Sequence, residues 1–181
     1  GAELRFLMSG TTAAASAGGM PGLIRNLDIA NGLEGLPVQV ADTDTFPLND
    51  ASGIMREMGC NYGNNPTTAS DIASLDGYLP HISEGINRAA QNELHCTSQG
   101  EIDVIERQTA IVHAVAVEPE DALLIGDEMA RVVWSPRSNI VLYGNTAPVT
   151  MLDSMGVMLA LGTDWVATGS MNMLRELRCA V

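Results

Sequence analysis

The residues with chemical reach in this 181-residue chain fall into four short runs. They are His81-Ile82-Ser83-Glu84, His113-Ala114-Val115, Ser135-Pro136-Arg137-Ser138-Asn139 and Gly162-Thr163-Asp164-Trp165. Imidazole with a carboxylate is a donor set that borderline divalent ions such as zinc or ferrous iron favour. A Lewis-acidic ion brings the pKa of bound water from ~15.7 to about 7, which makes a nucleophile at neutral pH. Expelling an amine then needs a carboxyl group that carries protons, and Glu84 stands three residues beyond His81.

Such groups act only if the fold gathers them. Short β-rich runs alternate with helical stretches, the pattern of a parallel α/β sheet. Strands are expected over residues 11–16, 37–43, 78–82, 110–115, 131–135 and 157–162, the first buried and entering a Gly18-Gly19 turn. Helices are expected from Pro21 to about 30, over 67–76, 86–96, 118–129 and 147–155, and at both ends of the chain. A loop rich in Asn, Gly and Asp, residues 46–66, could hide a seventh strand, and loops of that length are usually functional or mobile. His81, His113, Ser135 and Asp164 each fall at or just beyond the C-terminal end of an expected strand. In a β/α barrel, those ends form the face where catalytic residues collect.

Composition narrows the partners. Twenty-two acidic residues face nine basic ones, all arginine, for a net charge of −13. That charge repels phosphate backbones and anionic lipid, so neither nucleic acid nor a membrane surface is expected as a partner. The lack of lysine removes any Schiff-base amine or carbamylated metal bridge. The three cysteines, Cys60, Cys96 and Cys179, have no close pair in sequence and read as reduced thiols of a cytoplasmic protein. No run of 18 apolar residues suggests a membrane span.

Taken in order, the four runs resemble the strand 5, 6, 7 and 8 motifs of the amidohydrolase superfamily. The nearest members are imidazolonepropionase-like proteins and the cytosine, guanine and adenosylhomocysteine deaminases. Ser9-Gly10-Thr11-Thr12 is similar to the Gly-Thr-Thr of strand 2 in that family. The resemblance covers nearly the whole chain and implies one α/β domain over 1–181, an incomplete (β/α)8 TIM-type barrel of about strands 2 to 8. It implies that His81 and Asp164 ligate one divalent ion, zinc or else iron, and that Asp164 also accepts a proton from the attacking water. Glu84 matches the proton shuttle, His113 would polarise the water or the substrate, and Ser138 and Asn139 would line the substrate pocket. The implied reaction is hydrolysis of a C–N bond in a cyclic small molecule.

The family also carries a His-x-His pair at the end of strand 1, and none is present here. The only histidines are His81, His95 and His113. On the resemblance, the chain is expected to be an internal fragment starting after strand 1, inactive by itself for want of half its metal shell.

Plainer readings stand beside these. His113 follows an apolar run and could be structural, and Asp164 could serve a turn. Glu84 could sit in the first turn of a helix, where negative charge is favourable, and Asn139 could cap or turn the chain. Asp42 and Asp44 could line the mouth or simply begin a loop. His95 is expected at the surface, and Met151, Met155 and Met158 as core filler. A rival of another class is an inert binding module, self-associating as a homo-oligomer through open sheet edges.

Overall fold

A run such as Tyr78-Leu79-Pro80-His81-Ile82 has bulk enough to cover one face of a sheet while leaving the other partly open, and it forms the strand its composition predicts. Tyr78, Pro80 and Ile82 are buried, and Leu79 and His81 between them are half-buried. The computed structural model describes residues 2–15, 20–35 and 40–181. The expected Gly18-Gly19 turn and the start of the strand expected at 37 lie outside the described residues.

The elements run α1 (Ala2–Met8), β1 (Ala13–Ala14), β2 (Arg25–Asn26), β3 (Asp42–Asp44), α2 (Ala69–Ile72), β4 (Tyr78–Ile82) and α3 (Arg88–Thr97). They continue as β5 (Ala110–His113), α4 (Pro119–Asp127), β6 (Arg131–Trp134), α5 (Pro136–Tyr143), α6 (Val149–Ser154), β7 (Met158–Leu161) and α7 (Met173–Cys179). Strands β3 to β7 pair in sequence order, all parallel, in one five-stranded sheet. β1 and β2 pair in parallel as a second piece. The Ala41 N–H donates to the Leu27 carbonyl at 2.6 Å and links that piece to the start of β3. Parallel strands joined by helices make this an α/β fold. The main core, including Ile72, Ile82, Leu94, Ile111, Ile125, Val132 and Leu152, lies where helices pack on the sheet.

Local signals explain most helix ends. Asn87 caps α3 by accepting the Ala90 N–H at 3.0 Å, and Asn172 caps α7 by accepting that of Arg175. The Glu118 N–H donates to Asp121, with Pro119 opening α4.

Several expectations need correction. No helix follows Pro21: Arg25 and Asn26 form β2 instead, because the Arg25 N–H reaches the Thr12 carbonyl and a Pro21-Gly22 turn breaks the run. That is the seventh strand. The 46–66 loop, where it was sought, holds neither helix nor strand. Pro136 to Tyr143, read only as a motif, is the helix α5: Pro136 opens it with its fixed φ and Gly144, at φ 65°, ends it. β1 is half-buried, not buried, and Met158 is 63% exposed on β7, whereas Met151 and Met155 do pack against the core.

A further correction concerns the thiols. Cys60 and Cys96, 36 residues apart, form a disulfide with their Cα atoms 5.3 Å apart. The long loop doubles back onto α3, placing Leu48 and Tyr62 around Cys96 in a second small core. Sequence distance concealed a pair that loop packing creates. Cys179 is free and exposed. Among the described residues, no helix is long and apolar enough to cross a membrane.

Candidate metal and acid–base site

Parallel register brings the ends of β4 and β5 side by side, with His81 opposite Val112 and Ile82 opposite His113. The turn after β4 is tied to the turn after β5, since the Ser83 carbonyl accepts the N–H groups of Val115 and Ala116 at 2.9 and 3.1 Å. Ser83, His113, Ala114 and Asp164 all adopt positive φ, between 50° and 77°. Non-glycine residues there cost roughly 1–3 kcal/mol each, and such strain clusters at functional sites. The same turns aim the polar side chains inward.

His81, Glu84 and His113 each bring one donor atom to within 4.8 Å of the others. The imidazole rings of His81 and His113 lie 5.1 Å apart. His113 Nε2 is 3.4 Å from Glu84 Oε1 and 4.0 Å from Asp164 Oδ2. The structure therefore gathers all four residues singled out for chemistry. His113 is buried in doing so, 1% exposed, while Glu84 and Asp164 keep partial access to solvent.

The protons follow from the partners. His81 Nδ1 sits 3.2 Å from the Asp44 carbonyl oxygen, which can only accept, so Nδ1 carries the hydrogen. His113 Nδ1 lies 2.8 Å from Asn139 Oδ1, and the Asn139 amide is oriented by its Nδ2 donating to the His113 carbonyl. In the neutral His81 ring, Nε2 is left as a lone pair. Burial, then the neighbouring His113, holds the His81 pKa below the usual value against the pull of Glu84, which favours that neutral form. At His113, Nε2 faces two carboxylates. Imidazole and carboxylate groups converging this closely suit a shared cation or shared protons. A histidine that donates its far N–H to a carbonyl is also how metal-binding imidazoles are oriented.

α5 supports this arrangement. Ser138 Oγ donates to Asp164 Oδ2, Asn139 holds His113, and Tyr143 donates its hydroxyl to Glu84 Oε1 at 2.7 Å. Ser138 and Asn139 are fully buried and engaged in these bonds. They pack behind the reacting groups and are not among the residues that line the cleft beside His81 and Glu84. Ser135 is buried at the head of the same helix. Of the two open candidates on β3, Asp44 accepts hydrogen bonds from Thr67 and Tyr78 and anchors the start of the loop, while Asp42 turns back on the Thr43 N–H. His95 is exposed, as expected. Asp164 sits on a tight return: a Cβ added at Gly169 would collide with the Thr163 carbonyl, so this position admits only glycine.

A cleft of about 290 Å³ opens beside His81 and Glu84, lined also by Phe46, Leu48, Asp50 and Glu93. Sequence reasoning marked the long loop as functional or mobile but missed Asp50, Glu93 and Tyr143. The one signal available for Tyr143 was its i+4 spacing from Asn139, readable only once α5 is known to be a helix.

Burial lifts the Glu93 carboxyl to about 7, with repulsion from Asp50 adding to it, while the Ser83 N–H it accepts at 3.0 Å opposes the rise. The unfolded chain ionises this group from about 4.5 upward, whereas the folded chain holds its proton to about 7. Folding stability is therefore expected to fall across that window, by about 3 kcal/mol at full effect. Glu93→Gln keeps an acceptor for Ser83 and should flatten this part of the profile. Urea unfolding at pH 5 and pH 8 measures it, and an unchanged slope in the variant rules the account out.

No family model matches the chain. Over 73 residues it is 38% identical to a 5-methylthioadenosine/S-adenosylhomocysteine deaminase of Teredinibacter turnerae, covering 40% of this chain and 16% of that protein. A second protein of that name, from Syntrophus aciditrophicus, is 28% identical over 94 residues, 51% of this chain and 21% of its own length. A putative aminohydrolase of Methanothermobacter thermautotrophicus is 37% identical over 67 residues. The matches thus span only about a sixth to a fifth of these relatives. Among solved structures, an adenosine deaminase from Xanthomonas campestris with bound zinc superposes with a TM-score of 0.50 at 23% identity, covering 61% of this chain and 26% of that one.

Proposed function

For a chain whose relatives are deaminases of the amidohydrolase superfamily, we propose that it is the metal-binding and acid–base portion of an enzyme hydrolysing a C–N bond in a cyclic small molecule. The observation that carries this reading is the convergence of two imidazoles with the Glu84 and Asp164 carboxylates beyond the ends of β4, β5 and β7. The donor set fits a divalent ion: two oriented imidazoles and nearby carboxylates are what zinc and iron accept. His81 and Asp164 would hold the ion, zinc in the first instance, and it would supply Lewis acidity toward water and substrate.

The chain's own residues do the rest. Asp164, accepting from Ser138, is placed to take a proton from an attacking water. Glu84 stands at the cleft wall and beside His113, where it can pass that proton to the leaving nitrogen. His113, locked by Asn139, keeps a fixed orientation toward the reacting atoms. Phe46 and Leu48 offer an apolar wall for a flat ring. On this reading the seven strands are the second to eighth of a barrel, with a first strand and two further metal ligands supplied by sequence outside this chain.

Zinc titration and a deaminase assay test the reading. A protein extending this chain to a complete barrel should hold about one zinc per chain and release ammonia from an amino-substituted ring, while this chain alone should bind zinc weakly and stay inactive. A complete barrel with neither zinc nor turnover sinks it. A second reading, self-association, is favoured by the exposed Met158 on β7, which pairs on one side only among the described residues. Light scattering on the same sample decides that, a monomer ruling it out.

A further inference from the structure

Resting on that reading, we infer that Tyr143 is a positioning residue for Glu84, fixing which carboxylate oxygen faces His113 and which is left for the reacting atoms. The Tyr143 hydroxyl lies 2.7 Å from Glu84 Oε1, across 59 residues of sequence. The phenol donates to that carboxylate oxygen. The same Oε1 faces His113 Nε2 at 3.4 Å. With Oε1 held by these two groups, Oε2 is the atom available toward the cleft that Glu84 lines. Burial and the adjacent Glu84 raise the Tyr143 pKa, so the hydroxyl stays a donor throughout the working range of an enzyme.

The placement belongs to a larger device. Ser138, Asn139 and Tyr143 sit on the one helix α5, and their partners are Asp164, His113 and Glu84, which come from three different strand ends. One rigid element therefore sets three reacting groups relative to one another, which keeps them near a productive geometry. The helix is itself anchored: Glu176 of α7, fully buried, accepts the Arg137 N–H at 3.0 Å in the first turn of α5. If Tyr143 only filled space, phenylalanine would serve equally well. The hydroxyl aimed at Glu84 is what packing does not explain.

Tyr143→Phe removes one oxygen and keeps the ring. In the complete-barrel protein, kcat is expected to fall about 10- to 100-fold, the range seen when outer-shell partners are lost. KM and zinc content should stay within about two-fold, since neither substrate nor metal contact is removed. In this chain alone, the Glu84 side-chain carboxyl 13C resonance should move in Tyr143→Phe. It should not move in Ile140→Ala, an exposed position on the same helix. An unmoved Glu84 resonance overturns the inference, as does an unchanged kcat in a zinc-loaded, active protein. Should the wild-type complete barrel show neither zinc nor turnover, the enzymatic reading fails separately. The resonance then decides alone whether Tyr143 fixes Glu84.

Discussion

Glu84→Gln in the complete-barrel protein is expected to lower kcat by about 10²- to 10⁴-fold, the range a positioned general acid–base group contributes. The amide keeps the size of the side chain and an oxygen that can accept from Tyr143, so the neighbourhood should hold together. It loses the ability to take up and release a proton. Glu84 is suited to that task because it reaches both the cleft and His113 while keeping partial access to solvent. Zinc content should be retained. Loss of zinc in step with activity would instead make Glu84 a ligand, an arrangement its closeness to both His81 and His113 also permits. Full activity in the variant would remove Glu84 from the mechanism.

Breaking the Cys60–Cys96 bond is expected to destabilise the fold by about 3–4 kcal/mol, from loop-closure entropy for a separation of 36 residues. For a domain of this size, that corresponds to a drop in Tm of roughly 6–16 °C. The effect should reach the site as well, because the loop pinned at Cys60 begins with Phe46, Leu48 and Asp50 of the cleft wall. Cys60→Ser and Cys96→Ser should each reproduce the effect of reductant, and the double variant should add nothing further. Thermal unfolding with and without dithiothreitol measures it. Equal midpoints would show that the packing of Leu48 and Tyr62 holds the loop without the bond.

The chemistry of the site was legible in the sequence because residue type and strand-end position carry it. His81 and His113 close β-rich runs whose buried faces forced the strand assignment, and Asp164 follows the last such run. Strands β4, β5 and β6 are long enough for local pattern to define them. β2, two residues long, is not: its hydrogen bonds to β1 make it a strand, and the same residues read alone suggest a helix. α5 escaped for a related reason, since Ser-Pro at its head reads equally as a turn.

What only the tertiary structure decided are relations between distant residues. The Cys60–Cys96 pair depends on a long loop folding onto α3, which no spacing encodes. The tautomers of His81 and His113 depend on Asp44 and Asn139 arriving at their Nδ1 atoms. The pairing of Tyr143 with Glu84, and of Ser138 with Asp164, depends on where α5 lies across three strand ends. Sequence determines which groups are available and, through short-range pattern, which strand each one ends. Their mutual orientation is a long-range property, set when helices settle on the sheet and fix side chains that are far apart along the chain.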